Sequence, residues 1–184
     1  DAFLPMLKYM GAVTLALAVQ CLVVYQLLLF VFTRLNPLRF LKRFSPVMMF
    51  AFTTATSNAT IPLSIDTLDK KIGVSKKISS FTIPLGATIN MDGTSIMQGV
   101  AVIFIAQVYG MELTPAQLLT VIATAMIASI GTAGIPSVGL IMLAMVLTSV
   151  GLPTEGIALI MGIDRILDML RTAVNITGDA VCTT

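Results

Sequence analysis

Asp164, Asp168, Arg171, Asn175 and Asp179 follow one another at spacings of four, three, four and four residues. A helix therefore carries all five on one stripe. A guanidinium in such a row can take a carboxylate in a two-point grip, an aspartate can take an ammonium, and amide and carboxylate oxygens suit a small hard cation. The run around them is otherwise apolar and long enough to cross a bilayer. At roughly 2.5–3.5 kcal/mol each near the bilayer centre, three Asp and two Arg (Arg165 is the second) would cost about 12 kcal/mol or more in lipid. The surrounding Ile, Leu, Val and Met return only about 0.3–0.6 kcal/mol apiece. The stripe must therefore face protein, water, ions or a charged solute, which makes it a functional site.

The elements that hold this stripe read as membrane helices. The 184 residues are 57% hydrophobic and 11% charged, with mean hydropathy +0.97; soluble domains carry roughly 25% charged residues. The net charge of +2 and the lack of a long basic tract exclude nucleic acid as a partner. There is no histidine, which excludes a histidine proton relay or metal site. Cys21 and Cys182 lie far apart in apolar runs and read as core residues. The chain begins abruptly and ends inside helix-like sequence, so a piece of a longer polypeptide is expected.

Charge sets the topology. Gly11 to Phe32 reads as a plain transmembrane helix, polar only at Thr14, Gln20 and Gln26, with a lipid-facing or scaffold role. Eight of the eleven basic residues fall in two clusters, Arg34, Arg39, Lys42, Arg43 and Lys70, Lys71, Lys76, Lys77. Positive clusters mark the cytoplasmic side. The segment between them, interrupted by a Thr/Ser/Asn-rich stretch at 53–60 and by Pro62, thus enters and leaves from the inside as a re-entrant hairpin. Irregular backbone at that depth needs protein or a cavity around it. Ile78 to Tyr109 then runs outward, broken at Asn90-Met91-Asp92-Gly93-Thr94. The connectors 110–115 and 151–156 lack Lys and Arg and fit the outside. Ala116 to Val150, split by a Gly-rich stretch at 129–139, is a second hairpin of opposite orientation, and the polar helix runs inward from Ile157. The expected parts are a helix and linker over 1–43, a first hairpin over 44–77, a broken helix over 78–110, a second hairpin over 111–156 and the polar helix over 157–184. The fold class is an all-α membrane protein with an inverted repeat of hairpin plus broken or polar helix. That architecture places substrate and coupling ions at the midplane. Ala59 to Pro62 and Ala133 to Pro136 share an Ala-x-Ile-Pro pattern.

Asn-Met-Asp-Gly-Thr at 90–94, Ala-Ser-Ile-Gly-Thr-Ala-Gly-Ile-Pro at 128–136 and Asp-x-x-x-Asp-x-x-Arg-Thr-x-x-Asn-x-x-Gly-Asp at 164–179 together resemble the dicarboxylate/amino acid:cation symporters, the glutamate transporter family. The resemblance runs from about residue 10 to the end. It implies the transport domain of a secondary active symporter, not an enzyme, in a multi-pass cell membrane protein, here expected to be prokaryotic. It further implies a homotrimer whose scaffold helices lie outside this chain. Arg171 would take the substrate's side-chain carboxylate and Asp168 its α-amino group; having both argues for L-aspartate or L-glutamate. Thr94 would meet the distal carboxylate, Thr172 the amino end and Asn175 the α-carboxylate region. At the hairpin tips Ser57 and Gly139 would supply backbone N–H groups, and the Ile135 carbonyl would face the ammonium. Sodium is the implied coupling ion, at three sites: Asp179 with backbone at Gly86, Asn90 and Asn175; backbone at Thr88, Ser129, Ile130 and Thr132; and Asn90 with Asp92 plus residues of an earlier helix that is not in this chain. The sequence departs from some members at Ala55, where they carry arginine, and at Asn58, where many carry serine. Arg165 would tune the electrostatics of the site.

Each feature also has a plainer reading. Asp168 and Arg171 can form an internal i,i+3 ion pair. Thr94 and Thr172 can bond back to the i−4 carbonyl. Asn90, Asp92, Asn175 and Asp179 can be a polar network that holds a helix break. The sequons at Asn58 and Asn175 fall at membrane depth and are discounted. The alternative functions are H⁺ coupling through Asp92 or Asp179, an ion channel, and an intramembrane aspartyl protease. The channel would need polar stripes on several helices, and the protease's Gly-x-Gly-Asp pattern is missing.

Overall fold

The computed structural model describes residues 3–184; residues 1 and 2 of the first expected segment lie outside the described residues. Regular structure among the described residues is entirely helical. The first rod, Phe3–Thr33, combines α1 (Phe3–Val19), a π-helical turn (Gln20–Val24) and α2 (Tyr25–Thr33). At about 1.5 Å per residue it is long enough to cross a bilayer. The sequence predicts a lipid-facing or scaffold role for Gly11 to Phe32, and only part of the rod faces outward. One side, from Tyr9, Val13 and Leu17 through Cys21, Tyr25 and Leu29, is buried in the core.

The first hairpin pairs α3 (Pro37–Thr54) with α4 (Ser57–Thr67). It starts ahead of the expected boundary at 44 because Asn36 caps α3, its Oδ1 accepting from the Leu38 and Arg39 N–H groups, and Pro37 occupies the first turn. The second hairpin pairs α7 (Pro115–Ile130) with α8 (Val138–Ser149) and opens with a capping box between Thr114 and Gln117. Counting the π-helical turn Leu68–Ile72 that continues α4, the arms have 18, 16 (11 plus 5), 16 and 12 residues. All fall short of the roughly 20 residues that a full crossing takes, so the chain turns back inside. The feet of each hairpin meet: Arg43 Nη1 donates to the Lys71 carbonyl (2.8 Å) and Gln117 Nε2 to the Val150 carbonyl (3.4 Å). The two basic clusters thus share one end of the molecule.

Between the hairpins, α5 (Lys76–Ile89) and α6 (Asp92–Val108) form a broken rod. The break is narrower than expected, confined to Asn90 and Met91; Asp92 already opens α6. The last helix, α9 (Ile157–Thr183), packs against α1, α2, α3, α4, α5, α6 and α8. From Arg171 to Val181 it is buried on nearly every side, which lets one helix present polar groups to several elements. Phe44, Val47 and Ala51 of α3, Ile83 of α5, Met97, Ala101 and Ile105 of α6 and Leu167 of α9 belong to one buried apolar core. The outer faces expose Leu15, Phe32, Phe81, Leu119, Ile127 and Ile141, the opposite of a soluble surface and the expectation for contact with lipid.

Candidate binding site

Both hairpin tips carry a non-glycine residue in the left-handed region, Ala55 (φ 51°) and Ser137 (φ 65°). For an L-residue this conformation costs about 1–2 kcal/mol, and such strain collects where a backbone group must be aimed. At Ser137 the aim is visible: its N–H donates to Asp168 Oδ2 at 2.9 Å. The tips also join each other. Thr56 Oγ1 (2.7 Å) and the Asn58 N–H (3.3 Å) both donate to the Gly134 carbonyl. A Cβ at Gly134 would stand 2.9 Å from Asn58 Oδ1, and one at Gly139 would stand 2.9 Å from Thr94 Cγ2; glycine permits both approaches.

Under the joined tips lies a small cavity of about 20 Å³. Ser57, Thr94, Ile135, Gly139, Asp168, Arg171, Thr172 and Asn175 all line it, so every residue expected to contact substrate converges on one place. A volume of that size admits about one water molecule.

Arg171 is the most deeply buried cation, at 1% exposure. Nη1 donates to Asp164 Oδ1 at 2.7 Å, and Nη2 donates to Asp164 Oδ2 at 3.4 Å and to Asp168 Oδ1 at 3.0 Å; Nε has no partner. The plainer reading, an internal ion pair, is therefore realised in this closed form. Its main partner is Asp164, a full two turns away on α9. Asp164, Asp168 and Arg171 sum to one negative charge. Thr172 Oγ1 donates a hydrogen bond back to the Asp168 carbonyl (2.9 Å), as helical threonines do. Arg165 lies one residue past Asp164, on the exposed side of α9, and enters neither ion pair of Arg171.

A second polar cluster sits below, at the helix break. Asn90 Nδ2 donates to Asp179 Oδ1 (2.9 Å) and to the Asn175 carbonyl (3.4 Å). The Asn90 N–H bonds the Gly86 carbonyl at 2.7 Å. A Cβ on Gly86 would stand 2.6 Å from Asp179 Oδ1, so only glycine lets α5 approach the carboxylate. Gly86, Asn90, Asn175 and Asp179 thus meet. Asn175 braces the break itself: its Oδ1 accepts from the Gly93 N–H (2.8 Å) and its Nδ2 donates to Met91 Sδ (3.3 Å). The Asn90 amide donors stand between a carboxylate and a carbonyl, two oxygens of the kind that a hard cation takes.

The second expected ion set is more open. Ser129 and Ile130 end α7, Thr132 follows, and Thr88 ends α5, which packs on α7. Thr88 and Ile130 are exposed. The three hydroxyls of this set are bonded locally: Thr88 to the Pro84 carbonyl, Ser129 to the Met126 carbonyl and Thr132 to the Ala128 carbonyl. Ser129 Oγ also accepts from Ser95 Oγ at 2.7 Å, while the Thr88 and Thr132 oxygens keep lone pairs.

Asp92 is held by donors other than Asn90. Its Oδ2 accepts from Tyr25 Oη at 2.8 Å and Gln20 Nε2 at 3.0 Å, both from the first rod. Sequence reasoning treated that rod as scaffold and missed both residues. A tyrosine and a glutamine deep in an apolar span, five residues apart, were the available signal, since tyrosine otherwise favours the membrane interface.

The sequence profile of the sodium:dicarboxylate symporter family matches residues 1–184. The chain is 43% identical over 173 residues to an excitatory amino acid transporter of Caenorhabditis elegans, covering 94% of this chain and 34% of that protein. It is 44% identical over 172 residues to excitatory amino acid transporter 3 of Mus musculus (94% and 33% covered). To excitatory amino acid transporter 1 of Homo sapiens it is 44% identical over 173 residues (94% and 32% covered). The chain spans about a third of the length of these relatives. They are animal proteins, which lends the expected prokaryotic source no support.

Proposed function

Because the chain belongs to the sodium:dicarboxylate symporter family, we propose that it is the substrate- and ion-binding part of a Na⁺-coupled symporter for L-aspartate or L-glutamate, working by alternating access. The observation that carries this reading is the convergence of one guanidinium, one carboxylate and two hairpin tips on a single cavity. An acidic amino acid brings two carboxylates and one ammonium. Arg171 would exchange its aspartate partners for the distal carboxylate, keeping the two-point geometry that a guanidinium favours. Asp168, freed from Arg171 and from the Ser137 N–H, would take the ammonium.

Charge gives the cations their role. The Asp164–Asp168–Arg171 group carries one net negative charge, and the substrate adds another. Two negative charges in a low-dielectric site repel strongly; Asp92 and Asp179 add one formal negative charge each, and Na⁺ at those carboxylates would lower the total. The residues fit such an ion: at Asp179, a carboxylate and the Asn175 carbonyl come within reach of one donor. The expected parts 1–43, 44–77, 78–110, 111–156 and 157–184 would act as one transport domain. The second hairpin is the outer gate, because its tip holds three of the bonds that close the cavity, Thr56–Gly134, Asn58–Gly134 and Ser137–Asp168. The cavity is too small for an amino acid, so loading requires those bonds to part, at a net cost of about 1 kcal/mol each. Assembly as a homotrimer in a cell membrane, through helices beyond this chain, belongs to the same proposal.

Calorimetric titration of L-aspartate into the full-length protein, with and without Na⁺, tests it. Affinity that rises by orders of magnitude with Na⁺ supports coupled symport. Affinity that ignores Na⁺ and follows pH instead makes Asp92 and Asp179 proton carriers.

A further inference from the structure

Gln20 and Tyr25 are five residues apart in the first rod. On a regular α-helix that spacing leaves them about 140° apart, on different faces. The π-helical turn Gln20–Val24, in which the Tyr25 N–H bonds the Gln20 carbonyl, changes this. One wider turn brings residues five apart onto nearly the same face. Both side chains then donate to a single atom, Asp92 Oδ2. Space for the tyrosine comes from α9: a Cβ on Gly178 would stand 2.5 Å from Tyr25 Cζ and Oη and 2.7 Å from Asn90 Nδ2. Tyr25 is therefore wedged among Asp92, Asn90 and α9, and it is 2% exposed.

We propose that the π turn of the first rod is a positioning device for the cation site at Asp92, with Gln20 and Tyr25 as positioning residues. This rests on the reading of Asp92 as a cation ligand. The two donors hold one carboxylate oxygen, which fixes the orientation of the other. Both donors are neutral. They bring no positive charge to compete with an arriving ion, as a lysine or arginine would. A π turn interrupts the regular ladder of an otherwise continuous apolar helix. Such turns recur at functional sites, and here the turn is what makes the shared grip on Asp92 possible.

The test uses Tyr25→Phe and Gln20→Met in the full-length protein, with the Na⁺ concentration that half-saturates L-aspartate binding as the readout. Each variant removes one donor and little volume. The expected result is a half-saturating Na⁺ concentration raised on the order of tenfold, with L-aspartate affinity at saturating Na⁺ within about twofold of the parent and an unchanged melting temperature in Na⁺-free buffer. A purely structural role would lower the melting temperature and leave the Na⁺ curve where it was. If Tyr25→Phe fails to fold, Gln20→Met carries the test alone. A Na⁺-dependent parent with variants whose Na⁺ curves coincide with it overturns this inference alone. A parent whose binding ignores Na⁺ overturns the cation reading and the inference together.

Discussion

Gly86→Ala adds one methyl group at the closest approach of α5 to α9. The new Cβ would lie 2.6 Å from Asp179 Oδ1 and 2.8 Å from its Cγ, where ordinary contact begins at 3.4 Å. The carboxylate must retreat by about 0.8 Å (3.4 minus 2.6) or the helices must part. A retreat of that size away from Asn90 takes the bond now at 2.9 Å to about 3.7 Å, which is no longer a hydrogen bond. Metal ligands tolerate only about 0.2 Å, so a cation held by Asp179 and the Gly86, Asn90 and Asn175 carbonyls loses its best oxygen. The packing strain, about 1–3 kcal/mol, is present with and without the ion and lowers stability in both states. The lost ligand weighs only on the ion-bound state. At about 2 kcal/mol it raises the half-saturating Na⁺ concentration about 30-fold. The assay is L-aspartate uptake into proteoliposomes as a function of external Na⁺, with a melting curve in Na⁺-free buffer to confirm folding. A folded Gly86→Ala protein with the parental Na⁺ curve would refute Asp179 as a coupling-ion ligand.

Two further substitutions probe the upper site. Arg171→Lys keeps the charge but loses the fork that now bonds two aspartates; L-aspartate affinity should fall by at least about tenfold, and parental affinity in calorimetry would argue against Arg171 as the carboxylate receptor. Thr56→Val removes the hydroxyl that joins the hairpin tips at 2.7 Å; the loss of about 1 kcal/mol should raise the open population about fivefold. The alkylation rate of a cysteine placed at Ser57, which lines the cavity and is only 4% exposed in the closed form, in a background with Cys182 replaced by serine, reports it, and an unchanged rate would show that this bond does not hold the gate.

Much of this molecule was legible before any coordinates. Period and charge are local properties, so the stripe on α9, the two basic clusters and the interrupted spans could be read one residue after another. The cost of burying Asp and Arg in lipid then required that stripe to face inward. The residues expected around the cavity converge there because helix breaks at fixed places in the chain bring the same positions to the same depth. Three features were out of reach. Asp164, not Asp168, is the chief partner of Arg171, because a long side chain on a helix can reach down two turns as readily as one, and only packing selects between them. Arg165, adjacent to the site in sequence, points away from it, because one residue along a helix is about 100° around it. Gln20 and Tyr25 reach Asp92 only because a π turn rotates them together and Gly178 leaves room for the ring. The sequence alone determined which groups must be hidden from lipid and which spans must break, since both follow from local composition. Which donor meets which acceptor was decided by tertiary structure alone, since it depends on the rotation of one helix against another and on where a missing side chain lets two backbones close.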